Sequence, residues 1–205
     1  MRNLICAALI SMLALPVIAQ HHHAMQLTDK GMVMNANGNR LPDDCQRVSE
    51  EYQFTIYAGV EYSEPFVDKT FGYSDYELRV KPCAKVTVTF VNRDAVRHQW
   101  MLHGLPRYLY DQGMFHLEAA GGEQVEGSFI MPSDHKTYLL HCDIAQHMEK
   151  GMKAQLVVGR GSGDLWSVPG VSGDLMYAES VSNRFAVFLL ISSITTIAVI
   201  IAIKR

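Results

Sequence analysis

Lys85–Asn92 reads KVTVTFVN. Val86, Val88 and Phe90 alternate with Thr87 and Thr89, Asn92 ends the run, and side chains that alternate between two faces are the mark of a half-buried strand. Six further short segments share the β-rich, alternating character: Tyr52–Ala58, Tyr76–Val80, His98–Leu102, Gln124–Met131, Lys136–His141 and Lys153–Val158. Turn formers separate them, among them Pro82, Pro106, Pro132 and the Gly121-Gly122 pair. About seven short strands in roughly 115 residues predict an all-β protein, a β-sandwich.

Outward from this region the composition changes. Met1–Ala19 reads MRNLICAALISMLALPVIA, one Arg followed by an apolar run, a helix-ending Pro16 and short residues at a cleavage position. It predicts a cleaved secretory signal. Phe185–Ile203 is a run of 19 residues without a charge, followed at once by Lys204-Arg205. As a helix it spans about 28 Å, enough for a hydrocarbon core. The terminal cations belong on the cytoplasmic side, so the expected location is the inner membrane, single-pass, with the body on the periplasmic side. Between signal and sandwich, residues 20–44 hold His21, His22, His23, Met25, Met32 and Met34 and lack periodicity, which predicts an exposed, mobile arm. The sandwich is expected over 45–160, and the Gly- and Ser-containing stretch 161–184 reads as a linker.

The 205 residues are 48% hydrophobic and 19% charged, which excludes a disordered chain. There are 18 Lys plus Arg against 21 Asp plus Glu and no basic stripe, so nucleic acid is not an expected partner. Setting aside Arg2, Lys204 and Arg205 leaves 15 basic residues, so the exported part carries about −6 and suits a basic docking partner. Of four cysteines, Cys6 falls in the signal. Cys45 and Cys83, in an oxidising compartment, either form a disulfide or remain two buried thiols. Cys142 is left over, and an unpaired exported cysteine needs a chemical reason.

That reason lies in His141-Cys142-Asp143-Ile144-Ala145-Gln146-His147-Met148-Glu149-Lys150-Gly151-Met152, where Cys142, His147 and Met152 recur every five residues. A thiolate, an imidazole and a thioether form a soft donor set that suits copper. Cys142 ends one strand, His147 sits in the loop and Met152 starts the next strand. His98, after the Lys85–Asn92 strand, is the natural fourth ligand. Two His, one Cys and a weak axial Met are the donor set of a blue-copper electron-transfer site.

Tyr76–Val158 resembles a cupredoxin, in particular the copper-carrying domain of multicopper oxidases. His141 through Met152 is similar to that family's HCHxxxHxxxGM signature, and His98-Gln99-Trp100-Met101-Leu102-His103-Gly104 to its HPxHLHG element. The resemblance implies a Greek-key β-sandwich whose type 1 copper carries single electrons. Asp143 and Met101 stand where the oxidases need His, so ligands for a trinuclear centre are missing. His103 and His141 are more distantly similar to copper nitrite reductases. In this chain they either hold a second copper at a subunit interface, completed by His135, His116 or an arm His, or are hydrogen-bonded or solvated without a metal. The arm, likewise, either captures copper or is a polar segment with incidental His. The expected function is electron transfer with a redox partner associated with the membrane, a copper oxidoreductase or a copper-delivery protein being the alternatives.

Overall fold

The computed structural model describes residues 25–173 and 186–193. The predicted signal, His21 to His23 and most of the predicted anchor lie outside the described residues. Eleven strands follow in chain order: β1 (Met25–Leu27), β2 (Gly31–Met34), β3 (Glu51–Gly59), β4 (Gly72–Tyr73), β5 (Glu77–Val80), β6 (Lys85–Asn92), β7 (His98–His103), β8 (Met114–Ala119), β9 (Gln124–Ile130), β10 (Thr137–His141) and β11 (Lys153–Val158). They form a two-sheet sandwich. One sheet has seven strands in the order β1-β2-β8-β7-β10-β11-β5, and the other has four in the order β4-β3-β6-β9.

The alternation in Lys85–Asn92 is realised residue by residue. Val86, Val88 and Phe90 are fully buried. On the opposite face Thr87 meets the Ser128 hydroxyl at 2.8 Å, and Thr89 donates to Glu126 at 2.7 Å. The seven-stranded sheet contributes Trp100, Leu102, Phe115, Leu117 and Leu140 to the same core. Phe115 packs on Phe129 with ring centroids 4.8 Å apart, joining the two sheets.

Three expectations need correction. The stretch from Met25 onward is not a mobile arm. β1 and β2 form a hairpin, β2 pairs antiparallel with β8, and Val33 is buried. The segment is too short and too rich in Met to show a period, yet it completes the sheet edge. The linker also begins later than expected. Gln155 donates to Asp164 at 2.9 Å and accepts the Leu165 N–H at 2.9 Å, and Val168 is buried, so the chain stays on the sandwich past residue 161. Finally, strands β4 and β8 add to those the pattern predicts.

No helix among the described residues is long and apolar enough to cross a membrane. Residues 186–193 of the apolar run are helical and expose Val187, Phe188, Leu189, Leu190 and Ile191. Cys45 and Cys83 are disulfide-bonded, with Cα atoms 5.8 Å apart, tying the segment before β3 to the turn before β6.

Tyr110 provides a second tie. Its buried hydroxyl accepts the Ile130 N–H at 2.8 Å, donates to the Ile130 carbonyl at 2.9 Å and receives Asn37 Nδ2 at 3.1 Å. Tyr110→Phe removes the hydroxyl that pairs with the buried Ile130 N–H and carbonyl and is expected to cost about 1–3 kcal/mol. The check is the urea midpoint, and an unchanged midpoint contradicts this role for the hydroxyl.

Candidate metal centre

Four loops and strand ends meet at one end of the sandwich. His98 opens β7, Cys142 follows the last residue of β10, His147 lies in the turn and Met152 precedes β11. The turn is closed by its own backbone. Cys142 N–H donates to the Met152 carbonyl at 3.1 Å, Met152 N–H to His147 at 3.0 Å, and His147 N–H to Ile144 at 2.9 Å. Gly151 has φ +118°, and a Cβ there would lie 2.4 Å from the Phe71 carbonyl oxygen. The close approach matters because the Phe71 ring stacks on His147 at 4.4 Å.

His98, Cys142 and His147 each present one ligand atom, and the three atoms lie within 4.8 Å of one another. His98 Nδ1 and His147 Nδ1 are 3.2 Å apart, and Cys142 Sγ is 3.5 Å from His147 Nδ1. His98 and Cys142 are fully buried, and Met152 is buried beside them with its backbone bonded to both Cys142 and His147. Burial pushes the Cys142 thiol up to about 11 and pulls both imidazoles below their usual value. At neutral pH the pocket therefore holds a thiol and two neutral rings. A soft cation fits these donors, displacing the thiol proton as it binds.

Asp94 fixes which nitrogen of His98 is free. Its Oδ2 lies 2.6 Å from His98 Nε2, so that nitrogen carries the proton and Nδ1 keeps its lone pair toward Cys142 and His147. Asp94 is itself held, since its N–H donates to Asn92 Oδ1 at 2.9 Å and its Oδ1 accepts the Val60 N–H at 3.1 Å. Asp94→Ala is expected to weaken metal binding about 10- to 100-fold through loss of this orientation. Competition with a chelator of known affinity checks it, and unchanged affinity would exclude the role. Sequence reasoning misses both Asp94 and Phe71. For Asp94 the available signal is its position four residues before His98.

Glu118 on β8 braces the same region. Burial pushes its carboxyl up, but hydrogen bonds from Gln99 and Arg97 outweigh this and leave it below the usual range. Gln99 Nε2 reaches it at 2.6 Å, while Gln99 Oε1 accepts the Asp143 N–H at 3.2 Å. A depressed folded pKa stabilises above the ordinary carboxylate range, and the contribution is lost as pH falls through the folded value. Glu118→Gln is therefore expected to flatten the acid side of the stability curve. An acid profile identical to that of the unaltered chain counts against it.

His103 and His141 lie on the other face of the seven-stranded sheet from Cys142. Their rings stack with centroids 4.8 Å apart and planes 13° from parallel. Among the described residues, buried His103 Nε2, His116 Nε2 and His141 Nδ1 have no hydrogen-bond partner. His135 is engaged elsewhere, its Nδ1 accepting the Arg160 N–H at 3.0 Å.

The chain is similar to copper proteins of known structure. Auracyanin A, a "blue" copper protein from Chloroflexus aurantiacus, is 28% identical over 52% of this chain and 99% of its own, with a TM-score of 0.39. A multicopper oxidase from Pseudomonas thermotolerans is 20% identical over 54% of this chain and 30% of its own, with a TM-score of 0.41. A copper-containing nitrite reductase from Thermus scotoductus is 10% identical over 60% of this chain and 36% of its own, also with a TM-score of 0.41. These neighbours come from the groups that the sequence resembles. No family model and no curated protein matches the chain.

Proposed function

We propose that this chain is a type 1 (blue) copper protein that passes single electrons to or from a membrane or periplasmic oxidoreductase. The observation that carries the reading is the convergence of buried His98 and Cys142 with half-buried His147 in one donor set. Copper held there would supply a one-electron couple. The residues do the rest. The bonded turn from Cys142 to Met152 and the Asp94 contact fix the donors in place, so little has to rearrange when the charge changes. The sandwich keeps water from Cys142 and His98. His147 and Met148 are only half-buried, so the edge they form is where a partner reaches the site.

The apolar run Phe185–Ile203 with Lys204-Arg205 supports a single-pass anchor in the inner membrane, with the sandwich on the periplasmic side. A tether holds the carrier near membrane oxidoreductases and raises its effective concentration there. The net negative exported part favours a basic partner surface. The test is redox titration of the copper-loaded chain followed by visible absorption. One electron per chain, with reversible bleaching of an intense visible band, is expected. A copper-loaded but colourless chain contradicts the reading.

A second reading, a copper oxidoreductase with a further copper at a subunit interface, draws on the stacked His103 and His141 with their unpartnered nitrogens. It requires an oligomer and a type 2 copper signal that His103→Ala removes. A monomer lacking that signal excludes it.

A further inference from the structure

The register of the seven-stranded sheet places five sulfur- and nitrogen-bearing residues in one row. Met25 pairs with Met34, Met34 with His116, His116 with Met101, and Met101 with His141. Residues directly opposite each other in antiparallel strands share a face, with Cβ atoms about 5 Å apart. This face is the outer one. The alternate residues Val33, Phe115, Leu117, Trp100, Leu102 and Leu140 point into the core, whereas Met101 does not belong to it. The row runs thioether, thioether, imidazole, thioether, imidazole across five strands.

Its middle is buried. His116 is 5% exposed and His141 8%, and Met101 is covered as well. Among the described residues, both His116 Nε2 and His141 Nδ1 are without a hydrogen-bond partner. A buried imidazole nitrogen lacking a partner costs free energy unless a ligand satisfies it. The side chains flanking His116, Met34 and Met101, cannot do so as strong hydrogen-bond partners, because a thioether sulfur is only a weak acceptor and donates nothing. What thioether and imidazole share is affinity for a soft monovalent cation.

We propose that the outer face of this sheet binds one copper(I) ion, held by the His116 imidazole between the Met34 and Met101 thioethers. The site is separate from the Cys142 centre, whose donors point to the opposite side of the sheet. Its row ends at His141, the residue before Cys142. The proposal does not rest on the type 1 reading, and the site would take its ion whether or not the Cys142 centre is filled.

The test uses the full-length chain carrying Cys142→Ser, titrated anaerobically with copper(I) against a chromogenic copper(I) chelator. One ion per chain is expected to remain bound, with sulfur and nitrogen neighbours in its X-ray absorption spectrum. Adding Met34→Leu and Met101→Leu should abolish that binding, and His116→Gln should do so alone. Leucine nearly conserves the volume of methionine, so the same pair of changes with Cys142 intact should leave the melting temperature close to that of the unaltered chain. Absence of bound copper(I) in the Cys142→Ser chain would overturn the proposal. So would retention of the ion after both methionines are replaced.

Discussion

Cys142→Ser is expected to abolish the intense visible absorption of the copper-loaded protein and its reversible one-electron chemistry, while leaving the sandwich folded. In the proposed centre Cys142 would supply the thiolate of the donor set, and the other two converging atoms are imidazole nitrogens. A serine hydroxyl is a hard donor that does not ionise under these conditions, so the soft anionic contact is lost rather than weakened. The fold should survive because Cys142 is held through its backbone N–H to Met152, which the substitution keeps. Burying a hydroxyl in place of a thiol costs about 1–3 kcal/mol. Far-ultraviolet circular dichroism separates loss of the site from loss of the fold. A folded Cys142→Ser chain that keeps the visible band would show that the colour arises elsewhere.

Replacing both Cys45 and Cys83 by Ala should destabilise the fold more than either Tyr110→Phe or Cys142→Ser. The bond closes a sequence separation of 38 residues. In the chain-entropy account, releasing a loop of that size costs about 4 kcal/mol. For a sandwich of this size such a loss lowers the melting temperature by roughly 10 °C. The variant is compared with the oxidised parent by calorimetry. A shift of no more than about 2 °C would mean that the denatured chain is already restrained, or that the bridge adds little.

Much of the sandwich is legible in the sequence because its strands obey the two-face rule. The alternation in Lys85–Asn92 coincides with β6 to the residue, and the segment Lys153–Val158 coincides with β11, which is buried on both faces from Ala154 onward. β8 escapes because its outward residues are Met114, His116 and Glu118, and a methionine on the polar face blurs the alternation. The β1–β2 hairpin escapes for a different reason. Gly31–Met34 is only four residues long and stands in the sheet through its pairing with β8, a long-range contact that local pattern does not encode.

The site divides in the same way. Cys142, His147 and Met152 sit within one turn, so their spacing is visible in the chain. His98 enters from a separate strand, and the structure brings it to Cys142 and His147. Asp94 and Phe71 act through contacts with the two imidazoles, and such contacts depend on how loops fold over one another. The Met34–His116–Met101 row is a property of strand order. No reading of residues 20–44 alone would place Met34 beside His116.

The most direct test of the central claim is copper stoichiometry combined with the electron paramagnetic resonance spectrum of the oxidised full-length chain. The account predicts a type 1 signal of one copper per chain with the narrow hyperfine splitting of a copper–thiolate bond, absent after Cys142→Ser. A spectrum made only of type 2 copper, or a signal that survives Cys142→Ser, would contradict it.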